Sequence, residues 1–323
     1  MSPPDRSTGE SSSAQREGSP AGWLVIDAGN SAVKWAISDR DGHRFMGTGI
    51  EANSAVAGLD ARLVAAWSGL RYRGVYAASV ADGAVVQAIE RAAAAAAGRR
   101  VTWYGSQRHF EGRGLGHGVA LINGYRDPLQ LGADRWHALI AACAKFPDQS
   151  LVVVSAGTAT TVDCVRAEPL AAAVFSGGVI APGFDLMRRS LAEGTARLPL
   201  APQPTESPTA HALSTDEAIA SGVFLAQLGL VENVVRQFAA ELEHAQKEPP
   251  RVLLTGGRAR LLFGPLTRSV LAERAASALS LEHNLVLRGI ALRAHTEHTA
   301  PPAPEPAAPE APATIDIDLQ DAP

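Results

Sequence analysis

Short apolar runs rich in β-branched residues alternate with longer, alanine-rich stretches along most of this chain. The apolar runs predict buried strands, and the alanine-rich stretches, in which apolar positions recur at helical spacing, predict helices. In the N-terminal part the predicted strands cover residues 24–26, 33–38, 72–77 and 101–103, and the predicted helices cover residues 55–67 and 84–97. Alternation of this kind is typical of an α/β fold.

A glycine-rich stretch at residues 112–118 divides this pattern. Glycine clusters mark loops, and after this one strands and helices alternate again. The predicted strands there cover residues 151–155, 161–165 and 251–255, and the predicted helices cover residues 131–145 and 212–244. Ser214 and Glu217 have the spacing of a capping box at the start of the last of these helices. We therefore predict two α/β domains, at residues 22–118 and 119–297.

Both ends of the chain differ in composition from the part between them. Residues 1–21 are polar and lack the apolar segment of a secretory signal, and residues 298–323 are rich in proline, alanine and acidic side chains. Such segments bury too little apolar surface to offset the entropy of ordering, so both tails are predicted to be disordered. No apolar run in the sequence approaches the roughly 18 residues of a membrane span, so no membrane partner is predicted.

The charge balance mainly excludes nucleic acid as a partner. Acidic residues outnumber basic ones by 33 to 29 and the isoelectric point is about 6.1, so a cationic surface for nucleic acid is not expected. Small-molecule partners fit this composition better. Cys143 and Cys164 are too few and too far apart for a zinc site or a disulfide scaffold, and reduced thiols suit the cytoplasm.

One short pattern occurs twice, from Leu24 as LVIDAGNSAVKWAI and from Leu151 as LVVVSAGTATTVDCV. Each copy predicts two strands joined by a turn of small residues. Glycines and short polar side chains in such turns bring backbone N–H groups and hydroxyls close to an anion. The residues concerned are Gly29, Asn30, Ser31, Gly157, Thr158, Thr160 and Thr161. A single turn of this kind is most often an ordinary hairpin, but two of them favour a grip on one polyphosphate.

Charged side chains flank both turns. A metal–nucleotide complex held by the two turns would contact three of these side chains, those of Asp27, Lys34 and Asp163. The Walker A pattern and the Rossmann glycine pattern are both absent from the sequence, so a different nucleotide fold is predicted. Two similar α/β halves that each open with a strand–turn–strand unit resemble the actin-like, ribonuclease H-like ATPase superfamily, which includes sugar kinases and holds its nucleotide between the halves. The segment LLTGGRA, with Gly256 and Gly257, resembles its adenosine motif, although a double glycine also ends many strands.

Five motifs resemble those of one family, the type III pantothenate kinases, which include the Bvg accessory factor-like group. They are D-x-G-N-S-x-x-K at residues 27–34, N-x-Y-x-x-P-x-x-L-G-x-D-R-W at 123–136, G-T-A-T-T-x-D at 157–163, G-G-x-I-x-P-G at 177–183 and S-T-x-x-A-I-x-S-G at 214–222. The resemblance implies ATP-dependent phosphorylation of pantothenate to 4'-phosphopantothenate, the first step of coenzyme A synthesis, with Mg²⁺ accompanying ATP. It also implies a homodimer, because the family completes its pantothenate pocket across a subunit interface.

The resemblance implies roles for individual residues as well. Asp134 matches the carboxylate that accepts the proton of the substrate hydroxyl, although an aspartate here also suits a helix cap. Asp27 matches the carboxylate that meets Mg²⁺ directly or through water. The implied ATP and phosphate contacts are Asp27, Gly29, Asn30, Ser31, Lys34, Gly157, Thr158, Gly256 and Gly257. The implied pantothenate contacts are Tyr125, Gly132, Ala133, Asp134, Arg135 and Thr215, the last at a predicted helix start, where a cap role is the alternative.

One position departs from the family pattern. Ser155 stands where many members carry the aspartate that binds an activating monovalent cation. A neutral hydroxyl is a poorer ligand for a hard cation than a carboxylate, so a site for K⁺ or NH₄⁺ is expected to be weak or absent.

Two other functions stay open on the sequence. A catalytically retired accessory or regulatory protein would use the same fold, and members of this family have been named as accessory factors in virulence gene regulation. The presence of Asp27, Asp134 and Thr158 favours the enzyme, because a retired protein would be free to lose them. A related kinase for another small molecule is the second alternative, and the segment from Tyr125 to Arg135 favours pantothenate.

Overall fold

The computed structural model describes residues 22–112, 119–168, 171–203 and 208–299 of the 323-residue chain. The predicted N-terminal tail, most of the glycine-rich stretch and the predicted C-terminal tail from residue 300 lie outside these ranges. His298 and Thr299, which the sequence assigned to the C-terminal tail, form the end of a helix.

The strands and helices follow one another in the predicted alternation. The strands are β1 (Trp23–Ala28), β2 (Ala32–Ser38), β3 (Phe45–Ala52), β4 (Gly74–Ser79), β5 (Val101–Trp103), β6 (His109–Gly112), β7 (Val119–Asn123), β8 (Leu151–Ala156), β9 (Ala159–Arg166), β10 (Ala173–Pro182), β11 (Arg251–Thr255) and β12 (Ala278–Leu281). The helices are α1 (Leu59–Trp67), α2 (Gly83–Ala97), α3 (Ala133–Lys145), α4 (Phe184–Gly194), α5 (Thr215–His244), α6 (Ala259–Leu266) and α7 (Leu285–Thr299), with a short 3₁₀ turn at Pro128–Gln130 and a π turn at Thr267–Leu271.

Two sheets with the same strand arrangement form the two halves of the molecule. The first sheet has the order β3-β2-β1-β4-β5, and the second contains β10-β9-β8-β11-β12 with β7 and β6 added at its β10 edge. In each sheet three antiparallel strands are followed by two parallel ones. The duplication confirms the predicted fold of two similar α/β halves, because the β1–β2 and β8–β9 hairpins hold equivalent positions.

Local sequence signals determine where several helices begin and end. α2 begins after Asp82, whose side chain accepts a hydrogen bond from Ala84 N at 2.7 Å, and ends at Gly98, whose φ is 61°. α5 begins after Ser214, whose hydroxyl accepts a hydrogen bond from Glu217 N at 3.2 Å. The predicted cap of this long helix is therefore confirmed.

The sequence patterns missed several elements, which are β3, β6, β7, β10, β12, α4, α6 and α7. β3 alternates half-buried and exposed residues, and β10 carries Gly177 and Gly178 at a bulge, so neither has the continuous apolar run of the other strands. α7 has Gly289 in its interior and charged or histidine side chains among its apolar ones, which weakens its helical pattern.

α7 connects the two halves. It packs along α3 in the second half and against β1 and β4 in the first, with Leu287, Ile290 and Ala294 in the shared core. At the crossing of α3 and α7, a Cβ on Gly289 would lie 1.8 Å from the carbonyl oxygen of His137, so this approach requires glycine. β6 also belongs to the second sheet, although it precedes residue 118. The domain boundary at residue 118 stays a prediction. Both α7 and β6 connect the halves across this boundary.

In the part of the chain that the structure describes, α5 is the helix whose length and apolar composition would suit a membrane span. Its buried side chains, among them Phe224, Val231 and Phe238, pack in one cluster with side chains of β8, β9 and β11. The core helix of a folded protein passes the same test of length and composition, so α5 gives only weak support for a membrane.

Candidate functional site

The two predicted phosphate turns meet between the halves. Residues 29–31 join β1 to β2 and residues 157–158 join β8 to β9, and the glycine N–H of each turn closes it with a backbone hydrogen bond of 3.1 or 3.0 Å. The hydroxyl oxygens of Ser31 and Thr158 lie 2.7 Å apart, and Asn30 is exposed beside them. The structure therefore brings the two turns together at one cavity, where a single ligand can reach both.

Asn53 holds the first phosphate turn in place. It is buried directly after β3, its Nδ2 donates to the carbonyl oxygen of Gly29 at 2.7 Å, and its backbone N–H donates to that of Ser31 at 3.2 Å. The sequence does not single out this residue, because an asparagine after a strand is common in ordinary turns. Its role becomes visible only when β3 is placed beside β2.

Gly183 supports the second phosphate turn. Its N–H donates to the carbonyl oxygen of Thr158 at 2.9 Å, and a Cβ at this position would lie 2.2 Å from the carbonyl oxygen of Gly157. Glycine therefore lets the start of α4 pack directly on the turn. This contact explains why the motif at residues 177–183 ends in glycine.

The structure corrects the prediction that Thr160 and Thr161 belong to the anion site. Thr160 and Thr161 are buried in β9, and the Thr160 hydroxyl donates to the side-chain oxygen of Gln227 in α5. Gln227 in turn donates to the carbonyl oxygen of Pro182 at 2.8 Å. These contacts stabilise the second turn through α5 and the end of β10.

Gly256 and Gly257 follow β11 and lie against the second phosphate turn. Gly256 has a φ of 95°, and a Cβ there would lie 2.5 Å from the carbonyl oxygen of Ala156, so both the conformation and the space require glycine. The backbone N–H of Arg258 donates to the same oxygen at 3.1 Å. The glycine turn that resembles an adenosine motif is thus fixed to the end of β8.

A cavity of about 440 Å³ opens where these turns meet. Its lining combines both phosphate turns, the glycine turn and the start of α4. The lining residues are Ser31, Ala156, Gly157, Thr158, Asp185, Leu186, Arg188, Arg189, Leu200, Gly257 and Arg258. A volume of this size is typical of a small-ligand site.

Asp27 and Lys34 face each other across β1 and β2. They are cross-strand partners, with Asp27 Oδ2 at 3.9 Å from Lys34 Nζ. Burial raises the pKa of Asp27 to about 6, with Lys34 acting to lower it and the nearby Asp134 carboxylate to raise it. The carboxylates of Asp27 and Asp134 thus lie close enough to interact, although they come from different halves of the molecule.

Asp134 lies half-buried in the first turn of α3, where its Oδ1 accepts a hydrogen bond from Arg135 N at 2.8 Å. The N-cap of the helix is Gly132, so the interpretation of Asp134 as the cap is wrong. A Cβ on Gly132 would lie 2.6 Å from Asp134 Oδ1, and glycine therefore leaves room for the carboxylate. Ala133 is buried in the core shared by the two halves.

Arg135 is buried and paired with Asp163. Its Nε lies 3.1 Å from each carboxylate oxygen of Asp163, Nη2 donates to the same carboxylate, and Nη1 donates to the Tyr125 hydroxyl at 3.0 Å. Burial opposes the charge of Arg135, but its bonds to Asp163 outweigh this and raise the pKa of Arg135. Asp163 therefore neutralises Arg135, and the prediction that Asp163 meets the metal–nucleotide complex is wrong.

Thr215 is the first residue of α5, as predicted, but it does not line the cavity at the phosphate turns. It lines a separate groove between α4 and α5 with Met187, Leu198 and Ile219. Ser214 is the N-cap of α5, so the alternative interpretation of Thr215 as the cap is wrong.

The carboxylates fit a magnesium–nucleotide complex better than a protein-only metal site. Among the residues that the structure describes, no group of three or more His, Cys, Asp or Glu side chains converges on a metal position. Mg²⁺ bound with a nucleotide needs fewer protein ligands, because phosphates and water fill most of its octahedral positions and one or two carboxylates complete them. Asp27, buried near the end of β1, can supply one such carboxylate.

Two turns of small residues in contact, a glycine turn beside them and two neighbouring carboxylates, all on duplicated α/β halves, fit a kinase of the actin-like ATPase class. The family model for type III pantothenate kinase matches residues 23–237 of the chain. This chain therefore belongs to the type III pantothenate kinase family, and the resemblance carried by its motifs is confirmed.

Relatives from several bacteria agree with this assignment. The chain is 36% identical over 282 residues to the type III pantothenate kinase of Herminiimonas arsenicoxydans, covering 86% of this chain and 98% of that one. It is 36% identical over 291 residues to the type III pantothenate kinase of Burkholderia thailandensis, covering 84% and 98%. Among solved structures, the PilM–PilN type IV pilus biogenesis complex is 12% identical with a TM-score of 0.44, covering 84% of this chain and 98% of that chain. A likeness at that level carries no information about activity.

Proposed function

We propose that this chain transfers the terminal phosphoryl group of ATP to the primary hydroxyl of pantothenate, which gives 4'-phosphopantothenate and begins coenzyme A synthesis. Membership of the family supports this reaction. The observation that carries it is the contact between Ser31 and Thr158, because two facing turns with hydroxyl and backbone N–H donors suit a polyphosphate held between the halves.

In this proposal Asp134 accepts the proton of the pantothenate hydroxyl as the phosphoryl group is transferred. The transition state of phosphoryl transfer is loose, so an oriented hydroxyl matters more than a strong base. Asp134 has the space that Gly132 leaves beside it. We assign Tyr125 and Arg135 to the pantothenate pocket, where the pairing with Asp163 supports a single orientation of the guanidinium. The remaining pocket residues in the proposal are Gly132, Ala133 and Thr215.

We assign the charges of the nucleotide to Asp27 and Lys34. Asp27 would hold Mg²⁺ directly or through water, and Lys34 would contact a phosphate from its place in the next strand. When bound, Mg²⁺ neutralises charge on the phosphoryl group that is transferred. The other nucleotide contacts in the proposal are Gly29, Asn30, Ser31, Gly157, Thr158, Gly256 and Gly257.

A coupled assay of ADP release tests the reaction. Purified protein with ATP and Mg²⁺ is expected to release ADP faster when pantothenate is added, and no stimulation with any divalent ion would overturn the proposal. A panel of sugars and acetate-like acids tests the alternative of a related small-molecule kinase. ATP binding without turnover of any substrate would favour a retired accessory protein.

Activity is expected to fall as the pH drops through about 6, because Asp27 must be ionised to hold Mg²⁺ and burial raises its pKa to about 6. The pH profile of kcat/KM for ATP reports this group in the free enzyme. Lys34 lowers the pKa of Asp27, so Lys34→Met is expected to move the acid limb to higher pH while also weakening ATP binding. A profile that stays flat down to pH values well below 6 would contradict the role of Asp27.

We infer a homodimer from the outer face of α5. Thr215, Ala218, Gly222 and Ala226 lie along one groove of this helix, and Leu225 beside them is 42% exposed. Exposed apolar patches mark interaction sites, and two-fold dimers are the commonest soluble assemblies. A second copy on this face would also place Thr215 at the subunit interface, across which the family completes its pantothenate pocket.

Sedimentation at working concentrations tests the dimer. Ala226→Arg is expected to shift the protein to monomers with little activity, because it puts a charged side chain in the apolar groove. Gln237→Arg, on an exposed position further along α5, is the matched control and should leave the dimer intact. A natural protein that is fully active as a monomer would refute the inference.

Potassium and ammonium are expected to activate this enzyme weakly or not at all. Ser155 lies half-buried in β8, and its partners in the neighbouring strands are Thr161 and Thr255, so the sheet offers hydroxyls and not a carboxylate at this level. Ser155→Asp should raise the sensitivity to K⁺, whereas Ser155→Ala should not. The assay uses a buffer whose only monovalent cation is bulky and organic. If this buffer silences the natural enzyme and K⁺ restores it, the expectation fails.

We place the enzyme in the cytoplasm, where ATP is available. The free thiols of Cys143 and Cys164 are both buried in the described structure, which is consistent with a reducing compartment. Fractionation of cells that express the full chain tests this assignment, and recovery with the membrane fraction would contradict it.

A further inference from the structure

Part of the cavity lining carries positive charge that none of the five family motifs supplies. Arg188, Arg189 and Arg258 all line the cavity together with a single carboxylate, that of Asp185. Arg188 is buried and donates to the carbonyl oxygen of Ala201, so it has a structural partner. The cavity therefore keeps an excess of positive charge next to both phosphate turns.

Asp185 joins three segments of this wall. Its Oδ2 accepts a hydrogen bond from Arg258 Nη2 at 2.9 Å, and its Oδ1 accepts from Arg188 Nη2 at 3.0 Å and from Gln203 Nε2 at 2.8 Å. Burial opposes its charge, but the bonds from Arg258, Gln203 and Arg188 lower the pKa of Asp185 to about 2. The carboxylate is thus ionised at every working pH and fixes the direction of the Arg258 side chain.

Both segments that carry these arginines are hydrogen-bonded to the end of the second hairpin. The backbone N–H of Arg258 binds the carbonyl oxygen of Ala156, next to the turn. α4, which carries Arg189, begins directly after Gly183, whose N–H binds the carbonyl oxygen of Thr158. Arg189 is exposed to the cavity, and the structure gives it no carboxylate partner among the described residues. Its charge is available to a ligand.

We propose that Arg189 and Arg258 bind phosphate oxygens of the donor nucleotide from the α4 side of the cavity, and that Asp185 acts as a positioning residue for Arg258. Guanidinium groups match pairs of phosphate oxygens, and such charge-assisted hydrogen bonds are stronger than neutral ones. The proposal rests on the proposed function, because it takes a nucleoside polyphosphate to be the ligand of the cavity. It adds two phosphate contacts to those of the five motifs, one from α4 and one from the LLTGGRA segment, which contains Arg258.

Calorimetric titration with ADP and Mg²⁺, without pantothenate, tests this proposal. Arg189→Ala and Arg258→Gln are each expected to weaken ADP binding about tenfold, with a smaller loss for AMP. Arg197→Ala and Arg260→Ala are the matched controls, because both arginines are exposed nearby and neither lines the cavity. Equal ADP affinities for the variants and their controls would overturn the proposal.

The role of Asp185 has its own test. Asp185→Asn is expected to raise the KM for ATP with little change in kcat, and Arg258→Lys should recover part of the affinity that Arg258→Gln loses. A drop in kcat alone, or an unfolding temperature that falls in step with the affinity, would refute the positioning role. Because ADP binding is measured without turnover, a protein that binds ADP through these arginines but does not phosphorylate pantothenate would refute only the proposed reaction.

Discussion

Replacing Asp134 with asparagine is expected to lower kcat by about 10²–10⁴, the usual range for loss of a general base. The amide keeps the size of the side chain, and its oxygen can still accept the hydrogen bond from Arg135 N at the start of α3. The fold should therefore stay intact while the proton acceptor is lost. Steady-state rates together with thermal unfolding of the variant measure both effects.

A second readout separates a catalytic role of Asp134 from a structural one. The Asp134 carboxylate helps to raise the pKa of Asp27, so its removal should also shift the remaining acid limb of the pH profile to lower pH. Asp127→Asn is the matched control, because Asp127 is exposed and caps the short turn before α3 without lying beside Asp27. A folded Asp134→Asn enzyme with near-normal turnover would show that the assignment of the base is wrong.

Replacing Arg135 with alanine is expected to lower the free energy of unfolding by about 3–5 kcal/mol, the usual cost of leaving one partner of a buried ion pair alone. Asp163 is 2% exposed and would keep a buried charge without its counter-ion. The Tyr125 hydroxyl would also lose its donor. Urea unfolding followed by circular dichroism measures the loss.

An exposed ion pair provides the comparison. Arg166 pairs with Glu168 at 2.6 Å on the surface, and Arg166→Ala should cost less than about 1 kcal/mol. Adding Asp163→Leu to Arg135→Ala should recover part of the stability, because the uncompensated charge is then gone. Equal losses for Arg135→Ala and Arg166→Ala would mean that the Arg135–Asp163 pair contributes no more than a surface contact.

Much of the nucleotide side of the site could be predicted from sequence, because its signals are local. A turn between two β-rich runs needs glycine and small polar residues within one short stretch. This local signal predicts the turns at residues 29–31 and 157–158. Their repetition predicted two similar halves, and the matching strand orders of the two sheets confirm this. The role of each residue toward ATP stays a prediction.

The contacts that support the site could not be predicted, because they join residues far apart in the chain. Asn53 holds a turn 24 residues away, and Asp163 neutralises Arg135 across 28 residues. Gln227 reaches Thr160 across 67 residues. The sequence around an isolated asparagine, aspartate or glutamine does not indicate which distant group it will meet, whereas strand pairing and helix packing do.

The backbone contact between α3 and α7 at Gly289 limits how the two halves can move. No side chain separates the helices there, so we expect them to move as one rigid unit, while α7 also packs on β1 and β4. A rotation of the first half about this unit would carry Asp27, near the end of β1, past Asp134, at the start of α3. The distance between the two carboxylates would then report how far the cleft is open. Spectroscopic distance probes on β1 and α3 would follow the closure of the cleft on the nucleotide.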